Sequence, residues 1–169
     1  MQALAEGLQS TKRELTDLIK TIDEKQVDTV PFEDSWTAGQ LLEHIDKAVN
    51  PGLLKGNVQP TDRPADEKVA QVKKIFLDFN TKLKSPEFIE PREQAHDKNV
   101  LQQSLSEKFD ELTDATNTLD LQQECVDFEV PGMGRFTRLE WISFYMIHTQ
   151  RHIHQLKNII TKLQEKNVS

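Results

Sequence analysis

Apolar residues recur at helical spacings in five stretches of this chain. From about Gln2 to Asp23, Leu4, Leu8, Leu15, Leu18 and Ile22 fall three, four or seven apart, which predicts one stripe of an amphipathic helix. Val30-Pro31-Phe32 interrupts it. A second stretch opens at Ser35-Trp36-Thr37-Ala38-Gly39-Gln40, where Thr37 and Gln40 have the spacing of a capping box. It runs through Leu41, Leu42, Ile45, Ala48 and Val49 and stops at Asn50-Pro51-Gly52. A third spans about Ala65 to Leu83 on Val69, Val72, Ile75, Phe76, Phe79 and Leu83. A fourth, about Asn99 to Leu119, carries Leu101, Leu105, Phe109, Leu112 and Leu119. The last begins near Thr137 and reaches about Gln164, with Trp141, Ile142, Tyr145, Met146, Ile153, Leu156, Ile159, Ile160 and Leu163.

Prolines gather between these stretches, at Pro60 and Pro64 and again at Pro86 and Pro91. Cys125–Val130 alternates like a short strand, but with no partner in view it reads as an extended loop crossing. Pro131-Gly132-Met133-Gly134 is turn chemistry. The pattern predicts one all-α domain over residues 1–169, with four core helices, one more, and long connections across an end of the bundle.

Composition agrees with a folded bundle. The chain is 36% hydrophobic and 29% charged with a mean hydropathy of -0.62, and eight Phe and two Trp remain for a core. Its 21 basic and 28 acidic residues give a net charge of -7, which argues against nucleic-acid binding. No apolar run approaches the ~20 residues that span a bilayer. Met1–Glu6 has neither a basic nor an apolar leader pattern, and a lone cysteine, Cys125, forms no internal disulfide; the expected location is the cytoplasm. Cys125 is expected to be a small, semi-buried loop residue.

The strongest chemical signal is His148-Thr149-Gln150-Arg151-His152. An i, i+4 pair stands on one helix face, where two imidazole nitrogens can converge on one cation. Tyr145, Leu156 and Ile159 share that face, so the pair is expected to point inward or into a cleft, while His154, two residues beyond His152 and so about 200° round the helix from it, is expected to be exposed. Two histidines alone make a weak metal site. His44, on or beside the apolar stripe of the second helix, would complete a set of three; a lone histidine on such a face is more often a core residue bonded to a carbonyl. His96, beside Asp97 in a proline-bounded loop, is expected to be solvated, as are Glu43 and Glu140. Tyr145 is expected to pack, Gln40 to cap its helix, and Arg151 to make a solvent-facing ion pair.

Trp36-Thr37-Ala38-Gly39-Gln40-Leu41-Leu42-Glu43-His44-Ile45 resembles the early signature of the DinB-like superfamily, with a histidine eight residues after the Trp. Pro131–Thr137, Glu140-Trp141 and the run His148 to Gln155 resemble its closing signature, which ends in H-x3-H-x2-Q. The resemblance covers essentially the whole chain. It implies a four-helix up-down-down-up bundle with an additional short helix or long crossing loops, and a divalent metal cation, zinc or nickel, held by His44, His148 and His152. It departs from the family in the long tract Asn50–Pro64. Some members are thiol-dependent transferases or isomerases, so the resemblance implies a metal-dependent enzyme that activates a small thiol or water against a small-molecule substrate. The alternative is a non-catalytic metal-binding stress-response or interaction module. A homodimer is also expected, from the family's habit and from the apolar Phe136, Trp141 and Phe144.

Overall fold

Five α-helices form where the periodicity predicts them: α1 (Gln2–Lys20), α2 (Ala38–Ala48), α3 (Val69–Phe76), α4 (Lys98–Thr118) and α5 (Arg138–Val168). The structure, a computed structural model, describes residues 2–168. No helix among them is long and apolar enough to cross a membrane.

α1, α2, α4 and α5 make the bundle, and α3 packs outside on α5. Side-chain ties fix the helix directions. Gln9 Nε2 donates to Thr113 Oγ1 at 2.8 Å, while Lys98 Nζ donates to the carbonyls of Ile19 at 3.1 Å and Ile22 at 2.5 Å, so α1 and α4 are antiparallel. Gln150 donates to Thr11 at 3.2 Å and Lys157 stands 3.7 Å from Glu14, so α1 and α5 run together. His96, just before α4, sits against Gly39 at the start of α2, and Ser104 bonds Asp46 near its end at 2.6 Å, so α2 and α4 are parallel. The order is therefore up, down, down, up. Leu8, Leu15, Leu41, Leu42, Phe109 and Leu112 meet at the centre, each at most 1% exposed.

Caps set the helix starts. Thr37 and Gln40 form the expected capping box on α2. α5 opens on a second reciprocal pair: Glu140 N donates to Thr137 Oγ1 at 3.1 Å, and Thr137 N donates to Glu140 Oε1 at 2.9 Å.

α3 is much shorter than its apolar spacing predicts, because its ends are taken by other partners. Lys68 N, which could bond the Pro64 carbonyl, donates instead to Glu140 Oε2 at 2.7 Å. At the other end Asn80 N turns to Asp78 Oδ1 at 3.1 Å, and Arg151 Nη1 captures the Phe76 carbonyl at 3.2 Å.

The segment at Cys125 does find a partner. β1 (Val58–Gln59) and β2 (Glu124–Cys125) pair antiparallel, with Val58 opposite Cys125 and Gln59 opposite Glu124. The tract Asn50–Pro64, where the chain departs from the family pattern, is thereby fastened to the connection before α5. Cys125 is 1% exposed, and burial pushes its thiol up to about 11. Phe136 and Trp141 are buried and Phe144 half-buried, their ring centroids 5.2 to 6.2 Å apart. The three rings pack on one another within the chain.

Candidate metal centre

Three imidazoles from two bundle helices meet in the interior. α2 supplies His44, and α5 supplies His148 and His152 one turn apart; they are 2%, 7% and 7% exposed. His44 Nε2 lies 3.0 Å from His152 Nε2, which lies 3.1 Å from His148 Nε2. Nitrogens each ~2.0–2.1 Å from one cation stand ~2.8–3.4 Å apart, for angles between ~90° and ~109° at the metal. The observed spacings fall in that range.

Hydrogen bonds on the far side of two rings determine what faces inward. His44 Nδ1 lies 3.0 Å from the Ile89 carbonyl, which can only accept, so Nδ1 carries the proton and Nε2 presents a lone pair. His152 Nδ1 likewise donates to Gln155 Oε1 at 2.5 Å, which leaves its Nε2 bare. Two lone pairs at 3.0 Å repel unless a proton or cation lies between them. Protonation is opposed by the surroundings. Burial lowers all three pKa values: His44 below the ordinary 6.5, His152 to about 3, and His148 well below 6.5, with the other two imidazoles and Arg151 adding to the effect at His148. The donor set therefore fits a divalent cation, presenting neutral rings that need lose no proton to bind it.

Aromatic rings wall the three histidines. Trp36 stands 5.0 Å from His44, and Phe144 and Phe76 stand 5.5 and 5.9 Å from His148. Ser85 Oγ approaches His44 Nδ1 at 3.3 Å from the segment after α3. His148 Nδ1 is buried with no hydrogen-bond partner among the described residues.

His154 is exposed as expected, stacked on Phe79 at 4.1 Å. His96 is not solvated. Its side chain is 2% exposed, Nδ1 bonds Asp28 Oδ1 at 2.6 Å, and Nε2 lies 3.4 Å from Glu43 Oε1. Glu43 and Glu140 are buried as well, at 5% and 0% exposure. Glu140 receives both terminal nitrogens of Arg63, and burial, which would raise its pKa, is outweighed by Arg63 and by the backbone N–H groups of Thr137 and Lys68. Glu43 is likewise held below the ordinary carboxylate value, the N–H of Arg92 and the Lys47 ammonium overcoming burial. Arg151 is 5% exposed and makes no surface ion pair among the described residues; it donates to the carbonyls of Phe76, Asp78 and Thr81. Tyr145 packs in the core, where burial raises its phenol.

The sequence held one legible sign of this. Thr137-x-x-Glu140 has the spacing of a capping box and marks Glu140 as a helix-start acceptor. Nothing local marked Arg63, Ser85 or Ile89.

Comparison with known proteins agrees with the geometry. The chain is 26% identical over 152 residues to the uncharacterized protein YuaE of Bacillus subtilis (strain 168), covering 86% of this chain and 90% of YuaE. Its fold matches that of YfiT from Bacillus subtilis with a TM-score of 0.62 at 17% identity, over 96% of this chain and 87% of YfiT. YfiT is described as a probable metal-dependent hydrolase with an unusual four-helix bundle topology. The family model of the DinB superfamily matches residues 8–156, and the chain belongs to that superfamily.

Proposed function

We propose that this chain is a metal-dependent enzyme acting on a small molecule, with a divalent cation, zinc or nickel, held by His44, His148 and His152. The observation that carries the reading is the donor set. Three imidazoles converge, and among the described residues no further His, Cys, Asp or Glu joins them. A structural zinc site is closed by four protein ligands, whereas three leave room for an exchangeable one. A cation bound there supplies Lewis acidity, lowering the pKa of a water or small thiol that it takes up.

The chain's own residues favour that chemistry. All three donors are neutral, so none offsets the charge of the cation. The Ile89 carbonyl and Gln155 hold the His44 and His152 rings in the ligating tautomer. Trp36, Phe76 and Phe144 keep the surroundings poor in water, which strengthens electrostatic effects. Cys125 is no candidate nucleophile, being buried with its thiol raised to about 11, so a sulfur nucleophile would come from outside the chain. The likeness to YfiT supports the hydrolytic arm of this reading.

The burial of all three histidines favours one rival, a metal-binding module without turnover. Titrating the cobalt(II)-substituted protein with low-molecular-weight thiols, beside a panel of ester and amide substrates, separates the cases. A sulfur-to-cobalt charge-transfer band supports thiol activation, and hydrolysis without that band supports water. Neither result, with cobalt bound, contradicts the enzyme reading and leaves the module.

A further inference from the structure

We infer that Glu43 is a positioning residue that sets the affinity of the metal site, by laying the loop after Pro86 along α2 so that its Ile89 carbonyl meets His44. The inference rests on the reading that the three histidines bind a cation.

Glu43 and His44 are neighbours on α2 but about 100° apart around it, so they serve different sides. His44 turns toward α5 and its two histidines. Glu43 turns to the loop. Oε2 accepts from Arg92 N at 2.5 Å and faces Lys47 Nζ at 3.2 Å. Oε1 accepts from Gln94 Nε2 at 3.2 Å and lies 3.4 Å from His96 Nε2.

The ties come in order along the loop. His44 Nδ1 bonds the carbonyl of Ile89, Lys47 Nζ donates to that of Glu90 at 2.9 Å, and Glu43 accepts from the N–H of Arg92. A strip of loop backbone is thus held in register by side chains from one stretch of α2. Beyond it, Asp28 fixes His96 through both its backbone N–H at 2.8 Å and its ring at 2.6 Å. Gly39 makes that approach possible, since a Cβ there would stand 2.7 Å from Asp28 Oδ1 and 2.8 Å from the His96 side chain.

The Ile89 carbonyl is what fixes the tautomer of His44, and partners of this kind change metal affinity by about 10–100-fold when removed. Ile89 belongs to a single turn, Glu87–Ile89, with no extended element of its own to hold it. Its own side chain is buried, and the ties to α2 set where its carbonyl stands. Glu43→Gln leaves one acceptor oxygen for two donors, Arg92 N and Gln94 Nε2, and removes the charge that faces Lys47, which lets the carbonyl leave His44.

The test is cobalt(II) affinity, measured by competition with a chelating indicator, together with the visible spectrum of the bound ion. Wild type is compared with Glu43→Gln, with Lys47→Met and with Glu140→Gln. The last removes a carboxylate buried still more fully, which ties a different loop and touches none of the three histidines. Expected is a dissociation constant raised about 10–100-fold in Glu43→Gln and more mildly in Lys47→Met, with an altered cobalt spectrum. Glu140→Gln should lose stability while its cobalt affinity and spectrum stay those of wild type. Should Glu43→Gln not fold, the partly exposed Lys47→Met carries the same comparison. Wild-type affinity and spectrum in both loop variants overturn this inference alone. Failure of wild type to bind cobalt overturns the metal reading itself, and this inference with it.

Discussion

Arg63 and Glu140 are joined by two parallel hydrogen bonds, Nη2 to Oε1 at 2.7 Å and Nη1 to Oε2 at 2.9 Å. The carboxylate is wholly buried and also caps its own helix, so one side chain fixes both the start of α5 and the loop before α3. Breaking a buried pair by removing one partner costs ~3–5 kcal/mol, because the other charge is left without compensation. Arg63→Ala should fall at the low end, near ~3 kcal/mol, since the guanidinium keeps some contact with water. Urea denaturation of the variant beside wild type measures it.

The same pair gives stability a dependence on pH. The folded pKa of Glu140 lies below its ordinary value of 4.5. Its contribution is therefore complete above about pH 4.5 and is lost as pH falls toward the lowered value. Glu140→Gln should be less stable than wild type at pH 7 and should show a shallower fall in acid. Melting temperatures of both proteins across pH 3–7 test this; parallel curves would contradict it.

The histidines add a second window in the metal-free protein. Their pKa values are lowered by burial, so they stay neutral in the fold while the unfolded chain takes up protons below about 6.5. Stability should decline as pH drops from about 6.5 toward 4, and bound metal should steepen the decline because protons then compete with it. Melting curves with and without zinc across that range give the comparison.

Arg151 holds the turn after α3 through three backbone carbonyls, which keeps Phe76 against His148. Arg151→Met leaves those acceptors without their donor, at a cost of ~1–3 kcal/mol. Hydrogen exchange should quicken over residues 76–81 in particular.

What was legible in the chain is what local spacing encodes. The helix centres, the Thr37–Gln40 cap and the face shared by His148 and His152 follow from intervals of three and four. The position of His44 beside them was implied by the resemblance, and the bundle brings it there. The burial of these charges was not legible beyond the Thr137–Glu140 cap spacing, because each also takes a partner from far along the chain. Glu140 meets Arg63 at a separation of 77 residues, Glu43 meets Arg92 at 49, and Arg151 meets Thr81 at 70. Read alone, a charged residue on a helix belongs in water; only the loops between helices turn these three into interior groups. The shortened α3 has the same origin, since its apolar stripe continues but its terminal carbonyl and N–H are claimed by Arg151 and Glu140.

The metal content of untagged protein tests the central claim most directly. Elemental analysis should find one divalent cation per chain in wild type and in His154→Ala and His96→Ala, and none held tightly after His44→Ala, His148→Ala or His152→Ala. Retention of a full equivalent by folded His148→Ala, or its loss from folded His154→Ala, would contradict the assignment of these three histidines as the metal site.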